Sequence, residues 1–210
     1  MTDFETIAGT FTDPVPARSL ERAAAALAAN GFGVEILDDA AAARDRVKEL
    51  IPPGASVFTG ASETLRLSGI EEDINASGRY DSVRRRGMAL DRATQLDELW
   101  RLMCTPDVAV GSVAALTETG SLVVASASGS QLPAYVNGAV HAIWIVGAQK
   151  VVPDLSTAMS RLEEHCLPLE SERCMRVYGV PSAINRVLIL NAELVPGRGT
   201  VLLLREAIGF

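Results

Sequence analysis

The sequence predicts an α/β domain in which helices flank a mostly parallel sheet. Three observations lead there. Hydrophobic residues make up 48% of the chain and aromatics only 5%, so the core is built from Ala, Val, Leu and Ile, as in helix-covered parallel strands. Segments with helical spacing alternate with short strand-like runs along the whole length. Several of those runs, among them HAIWIVG at 141–147, RVLILN at 186–191 and TVLLLRE at 200–206, are apolar at successive positions, as burial on both faces requires. With 210 residues and no low-complexity linker, the chain reads as one domain over 1–210.

The elements follow in order. Residues 17–30, ARSLERAAAALAAN, place Leu20, Ala24 and Leu27 on one helical face and stop at Asn30-Gly31, a helix terminator. This first helix, within 15–30, either lies at the periphery, docked on a neighbouring subunit of a homo-oligomer, or covers its own sheet. GVEIL (33–37) is a strand, and DDAAAARDRVKEL (38–50) is a helix with an Asp cap, closed by Pro52-Pro53-Gly54. ASVFTG (55–60) is a strand running into a turn, and SETLRLSGI continues as a short helix. A looser segment, SGRYDSVRRRGMALD, precedes a helix over 92–104 whose stripe of Leu96, Leu99, Trp100 and Met103 is expected in the core. DVAVG (107–111) is a buried strand, SVAALTETGSLVVA (112–125) is a strand-like run broken at Thr117–Gly120, and QLPAYVNGA (131–139) is a short helix. Asp154 caps a helix to Cys166, and a second helical piece follows Pro168.

Charge and cysteine usage exclude several classes. Nineteen basic against 26 acidic residues give a net charge of -7, which repels a phosphate backbone, so nucleic acid is not an expected partner. The one basic cluster, Arg84-Arg85-Arg86, either grips an anion or is a solvated loop. Cys104, Cys166 and Cys174 show no C-x-x-C spacing, so no disulfide framework, zinc site or iron–sulfur motif is encoded, and the cofactor is left unspecified. The N-terminal MTDFETIAGTFTD lacks a signal-peptide pattern, and no apolar run reaches the roughly 20 residues that span a bilayer. A cytoplasmic protein with no membrane partner is expected.

Three places carry candidate chemistry. The junction FTGASET (58–64) follows a strand, where ligands of α/β sheets bind. There Gly60 permits close approach, and Ser62 and Thr64 offer hydroxyls to an anion; equally, Ser62 caps a helix and Glu63 answers its dipole. At Thr117–Gly120, Glu118 is either the solvated tip of a hairpin, with Thr119-Gly120 making the turn, or a carboxylate nucleophile or general base. Lys150, just past HAIWIVG, either holds a substrate carboxylate or phosphate or keeps a strand end soluble. His141 and His165 are too isolated for a metal site.

Taken together, FTGASETL, VGSVAALTETGSLVVAS, GSQLPAY, IWIVGAQKVVPDL, LPLESER and PGR-x-x-VLLL-x-E-x-x-GF resemble the LUD domain family, named for lactate utilisation, from about Gly31 to Phe210. The resemblance implies a fold akin to the ribose-phosphate isomerase, glucosamine-phosphate deaminase and CoA-transferase group. It further implies Gly60, Ser62 and Thr64 as an anion site and Glu118, with Thr119 and Gly120, as the catalytic element; Glu63, Gln131 and Lys150 are taken with them as candidate ligand contacts. Functionally it implies an accessory or catalytic component of lactate or related hydroxy-acid utilisation that binds an anionic small molecule, with iron–sulfur proteins as partners. The alternatives it leaves are a transferase or isomerase on a phosphate- or CoA-bearing metabolite with Glu118 as nucleophile or base, and a non-catalytic sensor or assembly subunit. Ala114 stands where many relatives carry His, which puts a general base there in doubt.

Overall fold

Two sheets share one interior in the computed structural model, which describes residues 11–210; the reading of residues 1–10 as lacking a leader lies outside the described residues. The strands are β1 (Gly33–Leu37), β2 (Ser56–Thr59), β3 (Asp81–Ser82), β4 (Val108–Gly111), β5 (Ala115–Thr117), β6 (Leu122–Ser126), β7 (His141–Gly147), β8 (Val151–Val152), β9 (Arg186–Leu190) and β10 (Gly199–Leu204). The helices are α1 (Ala17–Ala29), α2 (Ala40–Leu50), α3 (Glu63–Leu67), α4 (Ile70–Ala76), α5 (Val83–Ala89), α6 (Leu96–Cys104), α7 (Leu155–Arg161) and α8 (Leu167–Tyr178). The first sheet is parallel throughout, in the order β1-β10-β7-β4-β2-β3. The second, β8-β5-β6-β9, is mixed: β6 runs antiparallel to β5 and β9, and β8 parallel to β5.

The parallel sheet explains the apolar runs. Successive side chains point to opposite faces of a strand, and β7 sends Ala142, Trp144 and Val146 into one core while Ile143 and Ile145 enter another. β10 divides in the same way, Val201 and Leu203 against Leu202 and Leu204. One core is closed by α2, α3 and α4 through Ala43, Val47, Leu65, Ile70 and Ile74. The other is closed by α1, through Leu20, Ala23 and Leu27, and by Leu116, Leu122 and Val124 of the second sheet. Thus α1 covers its own sheets.

Several expectations are corrected. The segment expected to be loose holds β3 and α5, because Ser82 caps α5 by accepting from the Arg85 amide at 3.1 Å. Its arginines are therefore helical, with Arg84 paired to Glu71 and Arg86 to Asp81. In α6, Leu99 is buried, but Leu96 and Trp100 are 48% and 41% exposed, so the stripe is only half covered. Residues 131–139 form a π-helical turn over Ala134–Gly138. Pro168 does not interrupt its helix: α7 passes through a π-helical segment, Leu162–Cys166, into α8. A π segment shifts the i→i−4 ladder, so the missing proline N–H is absorbed at the first turn of α8. β9 is an antiparallel outer strand of the second sheet, not part of the parallel one. Among the described residues, no helix is long and apolar enough to cross a membrane.

Candidate functional site

All strands of the first sheet end on the same edge, so β2, β4 and β7 deliver Gly60, Ser112 and the residues after Gly147 to one place. The Gly60 amide donates to Val110 O at 3.2 Å, and the Ser112 hydroxyl donates to Ile145 O at 2.6 Å, tying the three strand ends together. After β7 a single 3-10 turn, Ala148–Lys150, returns the chain to the interior. Lys150 is consequently 1% exposed. Its Nζ donates to Thr64 Oγ1 at 2.9 Å, Ser112 Oγ at 3.0 Å and Val113 O at 3.2 Å, all neutral oxygens.

No carboxylate among the described residues pairs with it. An ammonium taken out of water without a counter-charge is costly. Burial, with repulsion from Arg161 added, pulls the Lys150 amine down to about 7. Arg161 repeats the pattern. It is fully buried and donates to Gln149 O and Phe11 O at 3.4 Å each, to Cys166 Sγ at 2.9 Å and to Ala114 O. A guanidinium stays charged at any physiological pH, so two buried cations stand close together with only neutral partners. Burial pushes the Cys166 thiol up, against the pull of Arg161 and Lys150, and leaves the thiol no strong anion to offer in return.

A cavity of about 450 Å³ opens in front of Lys150. Its floor is the carboxyl edge, at Gly60–Glu63 and Ser112–Ala114; its walls are β6, the turn carrying Gln131, and the continuous helix from α7 into α8. Gln131 is fixed on both sides: its Oε1 accepts from Ser126 Oγ at 2.9 Å and its Nε2 donates to Ala125 O at 3.3 Å. Ser62 caps α3, accepting from the Leu65 amide at 3.4 Å. That helix is one turn long with Glu63 in its first turn, so the positive charge at the cavity comes from side chains rather than from a helix dipole: Lys150, and Arg173, whose charge is answered by Glu170 at 2.6 Å. Glu63 itself is engaged by Arg66 at 2.7 Å, which holds its carboxyl below the usual range.

The structure thus brings Gly60, Ser62, Glu63, Gln131 and Lys150 around one cavity, with Thr64 behind it as a partner of Lys150. It does not bring Glu118, Thr119 or Gly120 there. These form the tip of the β5–β6 hairpin, which docks beneath α1. Gly120 has φ 84°, and a Cβ there would lie 2.7 Å from the Ala26 carbonyl carbon. Asn30 Nδ2 donates to Thr119 O and Gly120 O. The Glu118 carboxylate accepts from Arg22 at 2.8 Å, and this guanidinium holds its carboxyl below the usual range. The tip is neither freely solvated nor turned to the cavity.

Sequence reasoning missed Tyr135, Ser112 and Arg161. Arg161 had a signal, since it sits three residues after buried Ala158 and beside buried Leu162 on one helical stripe. Tyr135 had another in Gly60 and Gly111, two glycines closing neighbouring strands, where a Cβ would meet the tyrosine hydroxyl at 2.9 and 1.6 Å.

A family model described as the LUD domain matches residues 20–204. The chain belongs to the LUD domain family. Its match takes in both sheets and every residue of the cavity floor. The LUD domain seen here is similar to a crystal structure of a DUF162 family protein from Deinococcus radiodurans, which covers 91% of this chain and 99% of its own at TM-score 0.55 and 13% identity; at that identity the likeness concerns the fold. No curated protein matches the sequence.

Proposed function

We propose that this LUD domain binds a small carboxylate of the hydroxy-acid class in the cavity at the carboxyl edge, in the service of lactate or related hydroxy-acid utilisation. One observation carries the reading: Lys150, buried at the cavity, has neutral oxygens for all its partners. A ligand carboxylate in the cavity supplies the missing charge to an amine that is itself 1% exposed, where Coulomb attraction is stronger than in bulk water. The cavity volume of about 450 Å³ fits within the range of small-molecule sites. The family adds iron–sulfur partner proteins as electron carriers, so the isolated chain is expected to bind L-lactate without oxidising it; turnover by the chain alone would remove the accessory role.

The test is a thermal-shift and calorimetric series with L-lactate, glycolate and pyruvate against lactamide, which has the same shape without the charge. The acids are expected to raise the melting temperature, since a ligand of the folded state stabilises it, and lactamide is not. No shift with any acid overturns the reading.

The amine also sets a pH dependence. Lys150 titrates at about 7 in the free protein, and an anion binds the protonated form and raises that value. Affinity is therefore expected to be flat below pH 7 and to weaken by about tenfold per pH unit above it. Isothermal titration from pH 6 to 9 reads the slope. Glu118→Gln, which disturbs the pairing with Arg22 and the contact with Ser19, both outside the cavity, is expected to leave these affinities unchanged.

A further inference from the structure

Tyr135 is 2% exposed and lines the cavity, yet no hydrogen bond is formed by its hydroxyl within the described protein. The hydroxyl lies between the ends of β2 and β4, in a cradle that only glycine leaves open: a Cβ at Gly60 would come within 2.9 Å of it and one at Gly111 within 1.6 Å. Its ring is fixed edge-on to Trp144, with centroids 5.6 Å apart. The π-helical turn that carries it is held from below by Arg198, which donates to Tyr135 O at 2.9 Å and Ala134 O at 3.3 Å and is itself paired with Glu193 at 2.6 Å. π-helical turns of this kind concentrate at functional sites.

Phenylalanine would fill the same volume without burying a polar atom. The hydroxyl is not among the fully buried atoms left without a partner, so it reaches the cavity space, and a tyrosine held this firmly with an unpaired hydroxyl there has its partner in what the cavity binds. Burial pushes its phenol well above the ordinary value, so it is present as a neutral O–H donor.

We propose that Tyr135 is the specificity-determining residue of the site: its hydroxyl hydrogen-bonds the oxygen on the carbon next to the ligand carboxylate, so that oxygen-substituted acids are preferred over unsubstituted ones. The proposal rests on the carboxylate reading above, with Lys150 answering the charge and Tyr135 the neighbouring oxygen. A site built to pair a ligand oxygen rejects the analogue that lacks it, because its own polar group is then left unpaired.

The experiment compares L-lactate with propionate, which differs by that one oxygen, on the wild-type chain and on Tyr135→Phe by calorimetry. The wild type is expected to prefer lactate by roughly tenfold, the worth of one buried hydrogen bond, and in Tyr135→Phe the two affinities are expected to converge. An undiminished preference in Tyr135→Phe overturns the proposal, as does equal binding of the two acids by the wild type; in both cases the carboxylate reading stands. If the wild type binds neither acid, the carboxylate reading fails and the proposal with it. Should Tyr135→Phe fold poorly, Gly60→Ala, whose Cβ pushes against the hydroxyl, gives the same comparison with the tyrosine retained.

Discussion

Lys150→Met is expected to stabilise the fold at neutral and acid pH and to remove anion binding in the same step. The sign follows from titration. In the unfolded chain the amine titrates near its ordinary 10.5, in the folded chain at about 7. Below pH 7 both states hold the proton and the folded state carries the whole cost of a buried charge, on the order of a few kcal/mol. Between pH 7 and 10.5 the unfolded chain holds a proton that the folded one lacks, and wild-type stability gains about 1.4 kcal/mol per pH unit from this group. Methionine removes both the cost and the slope. It also takes away a donor from Val113 O, a loss of roughly 1–3 kcal/mol, whereas Thr64 and Ser112 keep Ile208 O and Ile145 O as partners. The expected result is a variant that melts above the wild type at pH 6, with the difference shrinking steadily toward pH 10. Affinity for L-lactate is expected to fall by about 30-fold or more, as when one partner of a buried charge pair is truncated. Chemical denaturation of both proteins across that range reads the first effect and calorimetry the second. A pH-independent difference would show that the amine does not titrate as placed.

Gly111→Ala is expected to cost about 2–3 kcal/mol and lower the melting temperature by roughly 5–10 °C. The backbone of Gly111 lies outside the left-handed region, so alanine meets no conformational barrier there. The whole cost is collision, since the new methyl would lie 1.6 Å from the Tyr135 hydroxyl and 2.7 Å from the ring carbon bearing it. Tyr135→Leu in the same chain removes both atoms, and the cycle of single and double variants isolates the clash: Gly111→Ala is expected to cost far less in the Tyr135→Leu background than in the wild type. Equal costs on the two backgrounds would place the damage elsewhere in β4.

The parallel sheet was legible because burial on two faces leaves a mark that periodicity can find, as in β4, β7 and β10. The second sheet was not. The β5–β6 hairpin and β9 are as apolar as the parallel strands, and nothing in a five-residue run says which neighbour it will pair with. The site followed the same division. That Gly60, Ser62 and Lys150 come to one cavity was legible from their place after strands, a position fixed by the fold class. The place of Glu118 outside this cavity was not legible, because a carboxylate in an apolar run suggests chemistry as readily as an ion pair, and its partner Arg22 lies 96 residues away. Arg161 and Tyr135 were overlooked because their roles depend on burial at tertiary contacts, which residue type argues against in one case and hides in the other.

The alternation of β7 between two cores has a consequence for the cavity. A slip of one residue in that strand would exchange Trp144 with Ile145 across the sheet and shift Lys150 by about 3.3 Å along its axis, taking Nζ out of reach of Thr64 and Ser112. The two cores therefore act as a vernier that sets how deep the amine sits. A large-to-small change at Ile145, which packs in the core away from Tyr135 and does not line the cavity, is expected to loosen that setting, so that ligand affinity responds to packing on the far side of the sheet as well as to the groups the ligand meets.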